Sequence, residues 1–352
     1  MNSRKLKISF VGVGFFSQIS HLINYYKNKK NVELFEVCDL DLKMAKQIKK
    51  KFKFSGKSTD NYKSLNHRKT DGIVIVLQRR LIENVAEYFL AKGCNVFTEK
   101  PSYYSSQKFL SMKKKQKGIW LKGYTRRWDK SVLYLKENFA KLSKPLGELI
   151  SINYNAKNGE SYLGSKHYVN PSIQKVIKSK LSNIPKFIKP KNIKLYDNHI
   201  NSGCHAVDIF DFLDFSHFKN IHSEINDKYF YTKFHLSFKN KLVHAQIMLN
   251  SSKVKKWEEY MQFDFDYGSI KVIFNAPLFK KNSHKILIEN GVSGKKYVKY
   301  FKLKWSFEEQ TKGFIELIKK NKKHKNYSSS KDGYAMITNY ENIWRSFQNE
   351  HK

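Results

Sequence analysis

The sequence predicts an α/β domain built on a doubly wound parallel sheet, followed by an α+β domain with a large, mostly antiparallel open sheet. Three observations carry that expectation. Short apolar runs alternate with helical patterns from residue 7 to 122, a glycine-rich turn joins the first run to the first helix, and strand-like alternation dominates from 220 to 303. At 352 residues the chain also exceeds the roughly 250–300 over which a single core grows. The boundary is expected at the change of texture, giving domains 1–123 and 124–352.

Taken in order, Lys7 to Val13 reads as a strand, and Phe16, Ile19, Leu22, Ile23 and Tyr26 follow at helical spacing. Val32 to Cys38 is a second strand, and Leu42 to Phe52 a basic helix with Met44, Ala45 and Ile48 inward. The unbroken apolar run Gly72 to Leu77 suits a parallel strand buried on both faces. Leu81, Ile82, Val85, Ala86, Phe89 and Leu90 form a helix stripe; Asn95 to Thr98, Ser106 to Lys115 and Ile119 to Lys122 continue as strand, helix and strand. Such alternation implies right-handed crossovers. Past Tyr124 come a strand from Leu146 to Tyr154, a Lys-rich polar stretch to Ile200, and a helix from Asn201 to Asp214. Tyr229–Phe238, Leu242–Leu249, Tyr260–Asp266 and Ser269–Phe274 then alternate as strands, before helices at Ser306–Lys320 and Lys331–Phe347.

Composition narrows the function classes. Hydrophobic residues at 40% and aromatics at 15% suffice for sizeable cores. No apolar run approaches the roughly 18 residues of a membrane helix. Cys38, Cys94 and Cys204 are scattered, with no Cys-x-x-Cys, which points to a reducing, cytoplasmic setting and away from disulfides or structural zinc. His199, Cys204, His205 and Asp208 are not read as a metal site, because adjacent residues on a helix point apart. The formal charge of +37 invites a nucleic-acid reading. Yet only seven of the 67 basic residues are Arg, leaving 60 Lys spread along the whole chain. Specific base and phosphate recognition favours the forked guanidinium, so the charge is read as solvated surface, with no specific nucleic-acid partner.

The turn Gly12-Val13-Gly14-Phe15-Phe16-Ser17 lies between the first strand and the first helix. A dinucleotide site needs Gly12 for the tight turn and Gly14 for close approach of a pyrophosphate to the helix N-terminus, where Phe15 and Phe16 begin the helix. Ser17 stands where a third small residue permits helix–strand packing. Asp39 follows Gly14 by 25 residues, at the end of the second strand, where a carboxylate accepts hydrogen bonds from a ribose diol. Its charge would repel a 2′-phosphate, so NAD is expected rather than NADP.

Phe97-Thr98-Glu99-Lys100-Pro101 after a strand, Gly123-Tyr124-Thr125-Arg126-Arg127-Trp128-Asp129 at the expected junction, and Gly203-Cys204-His205-Ala206-Val207-Asp208 on a helix complete the motif set. With the glycine turn, these resemble the glucose–fructose oxidoreductase/inositol dehydrogenase-like (Gfo/Idh/MocA) family, in its order, over residues 7–210. The resemblance implies an NAD(P)-dependent oxidoreductase acting on a sugar, polyol or nucleotide-linked sugar, with a Rossmann domain in front. It implies Lys100 and His205 as the proton-handling catalytic pair. Gly12, Gly14, Phe15, Phe16, Asp39, Glu99, Lys100 and Arg127 would hold the cofactor; Lys100, Tyr154, Asn201, His205 and Asp208 would meet the substrate. His205 and Asp208, three apart, share a helix face at the rim of the apolar stripe Ala206, Ile209, Phe210 and Leu213. Lys157, His167 and Tyr168 fall in or near the polar stretch expected to cover the substrate.

Two departures stand out. Where the family often has an acid four residues before the histidine, this chain has Asn201, which can hydrogen-bond but cannot act as a base. Arg80-Leu81-Ile82 replaces a common Pro-x-His pair. These leave room for a rival: a non-catalytic cofactor-binding or regulatory protein of the same fold. The resemblance also implies a homodimer or homotetramer paired through the open face of the second sheet, with which the alternation of Phe234, Leu236 and Phe238 on one face is consistent.

Overall fold

The computed structural model describes residues 4–159, 166–172, 183–238, 240–251, 256–280, 284–302, 304–320, 326–327 and 330–350. Part of the Lys-rich stretch between 156 and 200, and the tract 321–325, lie outside the described residues.

The elements run β1 (Leu6–Val11), a π-helical stretch (Ser17–Leu22) continuing into α1 (Ile23–Lys27), β2 (Val32–Cys38), α2 (Leu42–Phe52), β3 (Ser58–Thr59) and β4 (Gly72–Ile75). Next come α3 (Arg79–Ala91), β5 (Val96–Thr98), α4 (Ser106–Lys115), β6 (Trp120–Lys122), α5 (Lys130–Ser143) and β7 (Leu149–Asn158). The rest comprises α6 (Ile193–Phe212), β8 (Ser216–Ile225), β9 (Tyr229–Phe238), β10 (Lys241–Ser251), β11 (Glu258–Phe265), β12 (Gly268–Phe274), β13 (Lys285–Asn290), β14 (Lys296–Tyr300), α7 (Ser306–Lys320) and α8 (Ser330–Glu350). No helix among the described residues is long and apolar enough to cross a membrane.

The chain divides into two compact units. The first takes residues 1–124, 164–183 and 307–330, the second 125–163, 184–306 and 331–352. In the first, six parallel strands lie in the order β3-β2-β1-β4-β5-β6, so the order reverses between β1 and β4. All four residues of β4 are buried, as a strand covered on both faces requires. A Cβ on Gly72 would lie 2.8 Å from Ile318 on α7 and 2.9 Å from Ile8, so a glycine here lets α7 pack tightly on the sheet. Met44, Ala45 and Ile48 are the inner side of α2, as expected.

Helix α1 departs from the spacing read in the sequence. Every residue from Ser17 to Leu22 is buried, the polar Gln18, Ser20 and His21 included. The wider i→i+5 turn of a π-helix rotates the inner face, so Asn24 and Tyr25 are buried while Ile23 and Tyr26 are only partly so.

The second unit is an eight-stranded sheet in the order β14-β13-β12-β11-β7-β10-β9-β8. All its neighbours are antiparallel except β7 and β10, which run parallel. Helix α5, to which the sequence reading assigns no element, sets Phe139 against Phe215, Phe238, Phe263 and Phe265.

The stripe Phe234, Leu236 and Phe238 needs correction. Phe234 and Leu236 are fully buried; the Phe234 ring lies 5.5 Å from Phe210 of α6 and 4.3 Å from Phe218. The stripe packs on the unit's own helices, because a β-strand sends alternate side chains to opposite faces and the more polar set, Tyr231, Lys233 and His235, takes the other. Phe234→Ala is therefore expected to cost about 3–5 kcal/mol of stability, read by chemical denaturation; a loss below about 1 kcal/mol would place Phe234 on an exposed face after all.

Candidate active site

The glycine turn leaves β1 toward α1. Gly12 has φ of +86°, a left-handed conformation, and a Cβ there would sit 2.1 Å from the Val76 carbonyl oxygen. Gly14 is the opposite case: a Cβ there would meet nothing within 4 Å. Open space therefore borders the backbone where the helix begins and its first-turn N–H groups point outward. Asp39, at the end of β2, accepts the Val13 N–H at 2.8 Å and the Asp41 N–H at 3.0 Å. Burial pushes its carboxyl above the usual range, against the pull of those two donors. The residues present thus fit a dinucleotide: a bare backbone cradle at a helix N-terminus, with a carboxylate held beside it.

Residues 166–172 belong to this first unit and lie on the same turn. The Gln18 carboxamide oxygen accepts the N–H groups of Tyr168 and Val169, each at 2.9 Å, while its nitrogen donates to the carbonyls of Val13 and Val169. Asp41, the N-cap of α2, accepts from both the amide and the hydroxyl of Ser172. The His167 ring stands 4.5 Å from Phe15. Between α2 and this segment runs an open groove of about 840 Å³, flanked by Lys43, Lys50 and Lys51. His167 and Tyr168 thus meet the glycine turn and α2.

Lys100 follows β5, in the loop that begins with Glu99. The Glu99 carboxylate is buried; its Oε1 lies 2.7 Å from His21 Nε2 and its Oε2 accepts the Lys100 N–H at 3.2 Å. Thr98 bonds the Ser102 hydroxyl and accepts the Trp120 indole N–H, so the loop is also tied to β6. Glu83 of α3 accepts the Tyr104 N–H at 2.6 Å and the Asn183 amide at 2.5 Å. Burial pushes the Glu83 carboxyl up to about 7, against those two donors.

In the second unit, Arg127 and Asp208 are brought together. Arg127 is bidentate to Asp208, with Nε and a terminal nitrogen at 2.8 and 2.7 Å, and reaches Asp332 at 3.2 Å and Asp211 at 3.7 Å. Burial opposes the guanidinium charge, but Asp208, Asp332 and Asp211 outweigh it, and its pKa lies above the ordinary value. Asp208 is not at the helix rim, as its spacing suggested; it is buried because its counterion is buried. Burial also pushes the Asp211 carboxyl up to about 7, against Arg127, and the nearby Asp208 and Asp332 add to the rise. Tyr154 is buried on β7 and donates its hydroxyl to Glu259 at 2.6 Å, within a cluster where Arg126 binds Glu259 and Asp129. On α6, Asn201 is exposed and His205 half-buried, one turn apart on the same face.

Gln18, His21 and Glu83 escaped the sequence reading. A polar residue inside a helix pattern reads as surface, and each is buried only because its partner arrives from a distant segment.

Glu83 generates a prediction. Its folded-state pKa lies above the ordinary 4.5, so it contributes stability that is complete below about pH 4.5 and lost as pH rises through about 7. Glu83→Gln keeps an acceptor for Tyr104, and Asn183 can turn its amide to suit. The variant is expected to be more stable than the parent by about 1–3 kcal/mol at pH 8 and to lose that advantage at pH 4. A difference that does not change with pH would refute the assignment. Asp211 titrates in the same window, so the difference between the two proteins is what reports Glu83.

Residues 6–119 match the family model described as an oxidoreductase family with an NAD-binding Rossmann fold. No curated protein matches the chain. Its fold is similar to that of KijD10, a 3-ketoreductase from Actinomadura kijaniata in complex with NADP and TDP-benzene, at a TM-score of 0.74 and 11% identity, over 97% of this chain and 98% of that one. A scyllo-inositol dehydrogenase from Lactobacillus casei is similar at a TM-score of 0.72 and 14% identity, over 99% and 98%. A putative myo-inositol dehydrogenase from Sinorhizobium meliloti is similar at 0.69 and 15%, over 98% of each. At such identities the structural likeness speaks for the fold. The match to that oxidoreductase family rests on residues 6–119 of the first unit, and over the rest of the chain the likeness is one of fold.

Proposed function

We propose that this chain moves a hydride between a nicotinamide dinucleotide and a sugar, polyol or nucleotide-linked sugar, with NAD preferred over NADP. One observation supports this most. The open cradle at Gly14, the carboxylate of Asp39 and the loop bearing Lys100 all follow the carboxyl ends of parallel strands, around the point where strand order reverses. That is where open α/β sheets bind their ligands.

When bound, a nicotinamide supplies or accepts the hydride. The chain's own groups do the rest. The backbone at Gly14, Phe15 and Phe16 receives the pyrophosphate, and Asp39 accepts from a ribose diol while its charge disfavours a 2′-phosphate. Lys100 Nζ holds or releases the proton at the substrate oxygen, and His205 is the other group assigned to proton handling. Asn201, one turn from His205, orients a substrate hydroxyl. Within the second unit, Arg127 braces α6 through its buried pair with Asp208, and Tyr154 ties β7 to β11 through Glu259. KijD10 was solved with NADP, which makes the choice of cofactor a measurement worth taking first. Three free, buried cysteines suit a cytoplasmic setting, and the polar face of the eight-stranded sheet suits pairing of copies in a homodimer or homotetramer.

Lys100→Met is expected to leave the dissociation constant for NADH within about threefold while turnover falls by roughly 10²–10⁴-fold, followed by NADH absorbance on a panel of sugars and polyols. Undiminished turnover would refute the role. If the parent protein binds NADH yet gives no absorbance change across the panel, the non-catalytic reading that Asn201 keeps open takes over. Asp39→Ser is expected to shift the NADH:NADPH affinity ratio at least tenfold toward NADPH, about 1.4 kcal/mol, in fluorescence titrations; an unmoved ratio would remove Asp39 from cofactor choice.

A further inference from the structure

His21 is buried to 1% exposure in the π-helical stretch that follows the glycine turn. Its ring lies 5.0 Å from Phe97 on β5, 5.3 Å from Phe307 on α7 and 5.8 Å from Phe16. The surroundings are thus three phenyl rings and one polar partner, the Glu99 carboxylate at 2.7 Å. Glu99 is itself 5% exposed. A Cβ on Gly123 would come within 3.2 Å of its Oε1, so the carboxylate has little room to turn on that side. Its second oxygen accepts the Lys100 N–H, and its own N–H donates to the Ile75 carbonyl at 3.1 Å.

A carboxylate in such a place costs several kcal/mol unless its oxygens are satisfied. With His21 in place, Oε1 is bonded and Oε2 stays on the Lys100 peptide. Without a donor at position 21, Oε1 faces an aromatic wall. The cheapest relief is rotation of Glu99 toward water, which takes the Lys100 peptide with it.

We propose that His21 is a positioning residue for Lys100, acting through Glu99. The inference deepens the function proposed above, resting on it for what Lys100 does but not for how its peptide is held. It also assigns Glu99 inward, as the clamp on the lysine, instead of outward to the cofactor. The π-turn serves this: it sets Gln18 on segment 166–172 and His21 on Glu99 within one short stretch.

His21→Phe fits the aromatic surroundings but supplies no donor; His21→Gln returns one. Hydrogen–deuterium exchange of the full chain, followed by mass spectrometry, reads the peptide spanning 97–104. The expected result is exchange at least tenfold faster in His21→Phe, return to within threefold of the parent in His21→Gln, and no change in peptides from β10 and β11. With NADH as the probe, the dissociation constant should hold within threefold while turnover on the best panel substrate falls at least tenfold. Unchanged exchange in His21→Phe, faster exchange in every peptide alike, failure of His21→Gln to restore it, or faster exchange without loss of turnover would each overturn the proposal. If His21→Phe does not fold, Glu99→Gln replaces it: a neutral amide costs far less to leave unpaired than a buried carboxylate, and His21→Leu added on that background should then do less damage than on the parent. A double variant as damaged as expected for His21→Leu alone would overturn the clamp. Failure of the parent to bind NADH would sink the proposed function instead, and the exchange result would still decide the clamp.

Discussion

The first unit depends on how closely the turn after β1 passes the end of β4. At Gly12 a single methyl group would stand 2.1 Å from the Val76 carbonyl oxygen, far inside van der Waals contact. The chain makes this approach only with a residue that lacks Cβ and accepts a left-handed φ. From that point Val13 meets Asp39, the helix starts beside open space at Gly14, and the π-stretch carries Gln18 and His21 to their distant partners. Each later feature of the cradle inherits its position from this passage.

Buried charge organises the rest, and the two units use it differently. In the first, isolated carboxylates are satisfied by N–H groups: Asp39 by Val13 and Asp41, Glu83 by Tyr104 and Asn183, Glu99 by His21 and Lys100. Backbone donors fix loops without adding counter-charge, which leaves Asp39 and Glu83 with raised pKa values from burial. In the second, adjacent arginines sort into separate networks. Arg126 binds Glu259 of β11 and Asp129, whereas Arg127 gathers Asp208 of α6 and Asp332 of α8. Pairs of this kind contribute little net stability compared with apolar packing, but removing one member strands the other charge. They therefore specify which segments meet.

Solvated lysines on the helices fit a plain account of the high positive charge. Lys43, Lys46 and Lys50 are exposed on α2, while Met44, Ala45 and Ile48 fill its inner side. Pattern and charge occupy opposite faces of one helix.

The sequence by itself determined the order of the helices and of every strand but the short β3 in the front half, the glycine turn, and the placement of Asp39 and of Glu99 and Lys100 just after β2 and β5. These are local matters: side-chain period, glycine's freedom and short motif spacing all act within a few residues. It also showed that the second half is dominated by alternating strands. Only tertiary structure decided the rest. The inward placement of Phe234 and Leu236, the burial of Asp208, the engagement of Tyr154 by Glu259, and the burial of Gln18, His21 and Glu83 each depend on a partner remote in sequence. Burying a polar group is tolerable only once that partner is present, and no spacing rule within a segment states where the partner will come from.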